Sequence, residues 1–528
     1  MRRWIAALAA GLCPVLLQAQ TSADSARVVH AIDIRRHDVF SPSETTGFLP
    51  RLANSLHFTT RPSVVRRELL FRPGQPYDSL SVAETARNLR SLGVFRAVTI
   101  DSIRTDSGLV VQVTTRDGWS TRPITNLNTT GSTVVPTIGV EERNLLGSAT
   151  YLSVRYRIHP DRSNLTTSFR QPRLFAGRVG VGLQYTHLSD GDLFYGQVSK
   201  PFFSLSTRSA WEVSGEARKE TILRFFEGEQ EPRIVLQRRY AVGGAAAAWA
   251  LRAEPTGYLR LGVRGQIRRE DYADEAAVDT MARTTTGAIG PFLQWRAARF
   301  LVSSGLEGFG REEDVDVSTT VSLGAQATPR AFGYEEDGVV PYLTVRTGFG
   351  RPRGFVQLMA TGLGRFTAAG LDSGYVHLGG TAFLLPGRKH LAVLHGAVGW
   401  QHKPRPGAEF DLGLGLGPRI FQEHGFTGDR AFFTSAEYRW TATENFLNLT
   451  ALGLAGFVDY GGAWYNGSPR RTGFDFGIGI RAGLTRTTDV SASRFDIACR
   501  PGNAERRFQC RLVVQRGFAF SSSFRLDQ

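Results

Sequence analysis

In the stretch Gly473–Leu484, read as GFDFGIGIRAGL, apolar residues alternate with polar or small ones at a period of two. Phe474, Phe476, Ile478 and Ile480 share one face; Asp475, Gly477, Gly479 and Arg481 share the other. A period of two is the signature of a β-strand whose two faces meet different surroundings. The pattern recurs along VGVGLQYTHL, YLRLGVRGQIRR, GFVQLMATGLGRF, YVHLGGTAFLL and HLAVLHGAVGW, and the final run is RLVVQRGFAF. In TYLSVRYRIH, Leu152, Val154, Tyr156 and Ile158 face one way and Ser153, Arg155 and Arg157 the other. In a soluble sandwich the apolar faces would form a core. In a membrane barrel they face lipid while the polar faces line the lumen. From about Thr125 to Gln528 strand follows strand, and a sheet this large escapes exposed edges by closing on itself.

Composition agrees with a barrel. Glycine is high at 58 residues, aromatics reach 11% and there are only three Met. No run of about 18 apolar residues follows the N-terminus, so no helical span is expected. The net charge of +15 raises nucleic acid as a partner, but many Arg residues alternate along strands and no compact basic helix or basic-aromatic platform is present. Lumenal Arg, or Arg facing lipopolysaccharide, accounts for the excess, and no nucleic-acid partner is expected.

Met1–Ala19 reads as a secretory leader: Arg2 and Arg3 precede an apolar core, WIAALAAGLCPVLL, with cleavage expected after Ala19. Cys13 falls in that leader. Cys499 and Cys510 flank CRPGNAERRFQC, a hairpin with its turn near Asn503 and Ala504. The two would then oppose each other, as a disulfide in an oxidising compartment or as a pair of reduced thiols.

Residues 20–122 are expected to form a separate small α/β unit. VVHAIDI is its first strand, and a polar insertion runs from Ser41 to Arg61. A helix over Ser63–Phe71 is broken by Gly74 and Pro76. Asp78 or Ser81 caps a second helix, with Ser81 and Glu84 spaced as a capping box. Leu80, Ala83, Ala86 and Leu89 would form its buried face. FRAVTI and GLVVQV are two further strands.

Between Gly417 and Arg481 three charges stand out: Arg419, Glu437 and Asp459. On spacing alone they read as unrelated surface groups. Inside a barrel an ionised side chain is costly unless paired, so an Arg on an inserted loop needs carboxylates on the wall. Arg419-Ile420-Phe421, Glu437-Tyr438-Arg439 and Phe457-Val458-Asp459-Tyr460-Gly461 follow one another in an order that resembles the BamA/TamA outer-membrane superfamily of bacterial surface antigens. That family carries an Arg-Gly-aromatic motif on a loop folded into the barrel, then a Glu-Tyr-Arg strand, then a Phe-x-Asp-x-Gly strand. Ile420 stands where the family has Gly, which allows a backbone approach that Ile forbids.

The resemblance implies a lumenal lock in which Arg419 bridges Glu437 and Asp459, with Phe421 and Gly461 completing the motifs. It also implies sixteen strands, where about twenty alternating runs can be counted. GVEERNLLGSATYLSVRY is similar to the family's first barrel hairpin, and the terminal aromatics Phe518 and Phe520 to its C-terminal insertion signal. GQPYD, ARNLRSLGVFRAV and TRDGWS resemble the family's polypeptide-transport-associated (POTRA) domain, and only one such unit fits before the barrel.

No HExxH, GxSxG, GxxxxGK[ST] or CxxC pattern is present, so neither an enzyme, nor a cofactor, nor a metal site is expected. His187 and His424 read as structural. The expectation is a mainly β protein: signal peptide 1–19, periplasmic POTRA-like unit 20–122, and an outer-membrane antiparallel barrel 123–528. It would contact outer-membrane lipid and lipopolysaccharide and take unfolded client proteins at its POTRA unit, in insertion or translocation. The alternatives are a structural surface antigen or passive pore of the same fold, and a secreted soluble β-rich protein.

Overall fold

The computed structural model describes residues 28–41, 45, 48, 51, 54–55, 57–106, 108–130, 133–174, 178–273, 284–306, 309, 312–413, 417–447, 450–485, 492–502 and 507–516. The leader with Cys13, the turn at Asn503 and Ala504, and Phe518 and Phe520 lie outside the described residues.

The small unit comprises β1 (Val29–His37), α1 (Pro62–Glu68), α2 (Ser79–Ser91), β2 (Phe95–Thr105) and β3 (Gly108–Asp117). Its sheet has the order β1-β3-β2, with β1 parallel and β2 antiparallel to β3. Pro62 suits the first turn of α1, where its missing N–H costs nothing. That helix stops at Glu68, short of the expected Phe71, which turns into the core with Val65, Leu89, Phe95, Val111 and Val113. Asp78 caps α2, its carboxylate accepting from the Leu80 and Ser81 N–H groups. The buried face of α2 is Val82, Thr85 and Leu89, while Leu80 and Ala83 are exposed. Steps of three residues turn 300° and drift off one helical face; the i, i+3, i+7 set holds it.

From Thr121 onward the described residues form a closed barrel of twenty antiparallel strands, not sixteen. The additional runs are full members of the wall: Ser209–Arg224 pairs with Ile234–Glu254 along its entire length. An even, all-antiparallel set lets the first strand (Thr121–Thr130) and the last (Phe508–Arg516) meet antiparallel. The strands alternate as expected. Along Arg430–Phe446, Ala431, Phe433, Ser435, Glu437 and Arg439 are buried while Tyr438 and Trp440 are exposed. Leu454 (50% exposed), Ile478 (68%) and Ile497 (52%) continue an apolar outer surface on the neighbouring strands. Residues so apolar and so exposed belong against lipid rather than water.

Two insertions fill the lumen. The 403–429 connection folds inward and carries a short hairpin, Phe410–Leu412 with Phe426–Gly428. Its Phe410, Leu412 and Phe426 pack with Ala397, Ala431, Phe433 and Ala463 of the wall. At the rim beside the small unit, a second hairpin, Phe300–Ser304 with Glu312–Asp316, packs Leu306, Val315 and Val317 on Phe355, Leu391 and Val393. The small unit docks on this same rim. Arg90 pairs with Asp314 (2.6 Å), Glu84 accepts from the Leu205 N–H (2.7 Å), and Glu68 accepts from Arg173 (2.8 Å).

Candidate functional site

The site is built by the inward loop and four consecutive strands: Arg430–Phe446, Thr450–Trp464, Gly473–Leu484 and Ser493–Pro501. Period-two geometry aims every second side chain of these strands into the lumen. Register sets which of them meet. Ser435 lies opposite Asp459, Asp459 opposite Asp475, Gly479 opposite Asp496, and Arg481 opposite Arg494. Two carboxylates directly opposite repel each other unless donors come between.

Arg419 supplies them. Its Nε donates to Asp459 Oδ2, its Nη1 to Asp496 Oδ2 and its Nη2 to Glu437 Oε2, each at 2.8 Å. Arg419 is 3% exposed and Asp459 0%. The next backbone N–H, that of Ile420, donates to Asp475 Oδ2 at 2.8 Å. The guanidinium also lies 3.7 Å from the centroid of the Phe457 ring. A planar fork of donors can serve three carboxylates at once, which a lysine ammonium cannot do at this spread. The carboxylates are shared in turn. Glu437 accepts from Arg439 (2.5 Å) and Arg481 (3.0 Å), Asp496 accepts from Arg481, and Asp459 accepts from the Ser435 hydroxyl (2.5 Å). Arg439 reaches the second insertion as well, donating to the Leu306 carbonyl at 2.9 Å. The two lumen insertions thus meet one buried ion network from opposite ends.

Arg419, Glu437 and Asp459, singled out in the sequence, are in direct contact. Phe421 sits over Phe426 at 4.9 Å between centroids. It occupies the space beside Gly473, where an added Cβ would come within 2.4 Å of its ring. Gly461 faces Phe433, and a Cβ there would meet the Phe432 carbonyl at 2.8 Å. Ile420 does not take a left-handed backbone; it is buried with Phe457, Ala498 and Val513 and acts as an apolar anchor. Asp475, Asp496, Arg481 and Ser435 complete the network and were not singled out as lock members. Cys499 and Cys510 stand opposite each other with Cα atoms 4.1 Å apart and are joined by a disulfide. The arrangement is a fastener: fixed donors hold fixed carboxylates, and through them a loop.

Farther out, the returning limb of the inward loop is fastened a second time. His424 faces Asp411 Oδ2 (2.5 Å) through Nδ1 and Asp161 Oδ2 (2.9 Å) through Nε2, and stacks on Phe225 with centroids 3.4 Å apart. Burial disfavours its charged form, but the hydrogen bonds to Asp161 and Asp411 outweigh this and push its pKa up to about 10. A cavity of about 370 Å³ opens beside it, lined by Arg162, Glu220 and Tyr465 among others.

No protein-family model matches the chain, and no curated protein matches it. Among solved structures it is similar to BamA from Haemophilus ducreyi lacking POTRA domains 1–3 (TM-score 0.38, 12% identity, covering 93% of this chain and 84% of that one). It is also similar to CdiB from Escherichia coli (TM-score 0.47, 11% identity, 93% and 77%) and CdiB from Acinetobacter baumannii (TM-score 0.43, 11% identity, 93% and 73%).

Proposed function

We propose that the mature chain is an outer-membrane barrel acting in the insertion or translocation of other polypeptides, with residues 20–122 as a periplasmic POTRA-type unit ahead of the barrel. The observation that carries this reading is the junction between the first and last strands. Among the described residues it is the smallest contact between neighbouring barrel strands. Beside the pairing that closes the barrel, the Thr129 hydroxyl spans it, donating to the Leu512 carbonyl (3.1 Å) and accepting from the Val514 N–H (2.9 Å). A wall so fastened is a place where an extended segment can exchange into the ladder, pairing its backbone as a guest strand.

Two further features support the reading. The lumen is occupied by both insertions, which favours a lateral route over an axial pore. The outer edge of β2 takes no strand partner among the described residues, so it offers the small unit's sheet to an incoming peptide. Depletion of the protein tests the proposal: levels of many other outer-membrane barrels should fall. An unchanged outer-membrane proteome would instead support a structural surface antigen or passive pore.

A further inference from the structure

The 158–163 turn, which joins the strands Tyr151–Arg157 and Asn164–Leu174, brings His159 and Asp161 against Glu423 of the inward loop. His159 Nε2 lies 2.7 Å from Glu423 Oε2. His159 Nδ1 accepts the Asp161 N–H at 3.1 Å. One donor atom from each of His159, Asp161 and Glu423 falls within 4.8 Å of the others. His159 and Glu423 side chains are nearly buried, and Asp161 is the more open of the three.

Three carboxylates gather around this point: Asp161 and Asp411 face the two ring nitrogens of His424, and Glu423 precedes that histidine in the loop. Arg162, on the same turn, is engaged by Asp190 (2.7 Å) and Glu220 (2.9 Å). His424 Nε2 also holds Asp161 Oδ2 at 2.9 Å, the kind of outer support that orients ligating carboxylates. The neighbouring cavity gives an ion a way in and leaves room for water as a further ligand.

We propose that His159, Asp161 and Glu423 form a site for a divalent first-row metal ion of zinc-like preference, which staples the returning limb of the inward loop to the barrel wall. One nitrogen and two carboxylate oxygens suit such an ion better than magnesium or calcium, which take all-oxygen sets. The test uses the full mature chain in detergent micelles, stripped with EDTA and titrated with zinc chloride by calorimetry. Saturable binding of one ion per chain is expected, weakened at least tenfold in His159→Ala and in Glu423→Gln. His187→Ala, on an exposed histidine of the strand Val179–Leu188, should bind as the parent does. Heat-modifiable gel migration verifies that each variant is folded, and zinc should raise the melting temperature of the parent but not of His159→Ala. No saturable binding, or equal affinity in parent and folded His159→Ala, overturns the site.

Discussion

Two parts of the barrel wall, one strand apart, are held in opposite ways. On one side stand the four strands Arg430–Phe446 to Ser493–Pro501, tied through Arg419 by charge-assisted hydrogen bonds in a space closed to water. On the other stands the junction of Phe508–Arg516 with Thr121–Thr130, the slightest contact between neighbouring barrel strands among the described residues, bridged by the Thr129 hydroxyl. The strands differ in reach as well. Those at the junction have 9 and 10 residues, close to the minimum that crosses a bilayer, while Ile234–Glu254 toward the far wall has 21. Stiffness and give therefore sit side by side. On the proposed function, a network that fixes the wall beside the junction would let the junction part without the rest of the barrel following.

The strongest way to break this contrast is charge reversal in the lock. Asp459→Lys places a cation against the Arg419 guanidinium, and the loss should exceed the ~3–5 kcal/mol typical of a broken buried pair. Heat-modifiable migration and surface level should both fall; if neither changes, Arg419 does not hold the wall. Arg419→Ala comes next, at about 3–5 kcal/mol, because Asp459, Asp496 and Glu437 lose a shared donor. Its denaturation midpoint should drop while the Val514 amide at the junction exchanges at nearly the parent rate.

Ile420→Gly sharpens the picture of how the loop is anchored. The substitution removes a side chain buried with Phe457 and Val513, at a cost of about 2–5 kcal/mol. A gain in stability would show that backbone freedom matters more there than packing. The smallest effect is expected from Thr129→Val, which removes the two hydrogen bonds that the Thr129 hydroxyl makes across the junction. Global stability should change by only about 1 kcal/mol. The Val514 amide, however, should exchange roughly fivefold faster, the factor that such a free-energy change carries. Equal exchange in the two proteins would mean that other contacts close the junction.

Much of this architecture was legible in the sequence because a barrel writes its two faces into every second residue. Phe474, Ile478 and Ile480 outward with Asp475 and Arg481 inward follow from alternation alone. The full membership of the ion network was not legible. Asp475 and Asp496 join it only because Asp475 lies opposite Asp459 and Asp496 opposite Gly479, and register is a property of paired strands, not of spacing along one. The metal-type cluster shows the same limit, since His159 and Glu423 are brought together by closure of the barrel around its own loop. The strand number went astray differently. Sixteen came from resemblance, whereas the alternating runs themselves number about twenty.

The bond between Cys499 and Cys510 ties the final strand to its predecessor near the turn that joins them. If the cylinder parts beside Thr129, the terminal segment cannot peel away by itself. It must swing as a two-stranded flap hinged on Gly473–Leu484, and reducing agent alone would convert that door back into a loose ribbon.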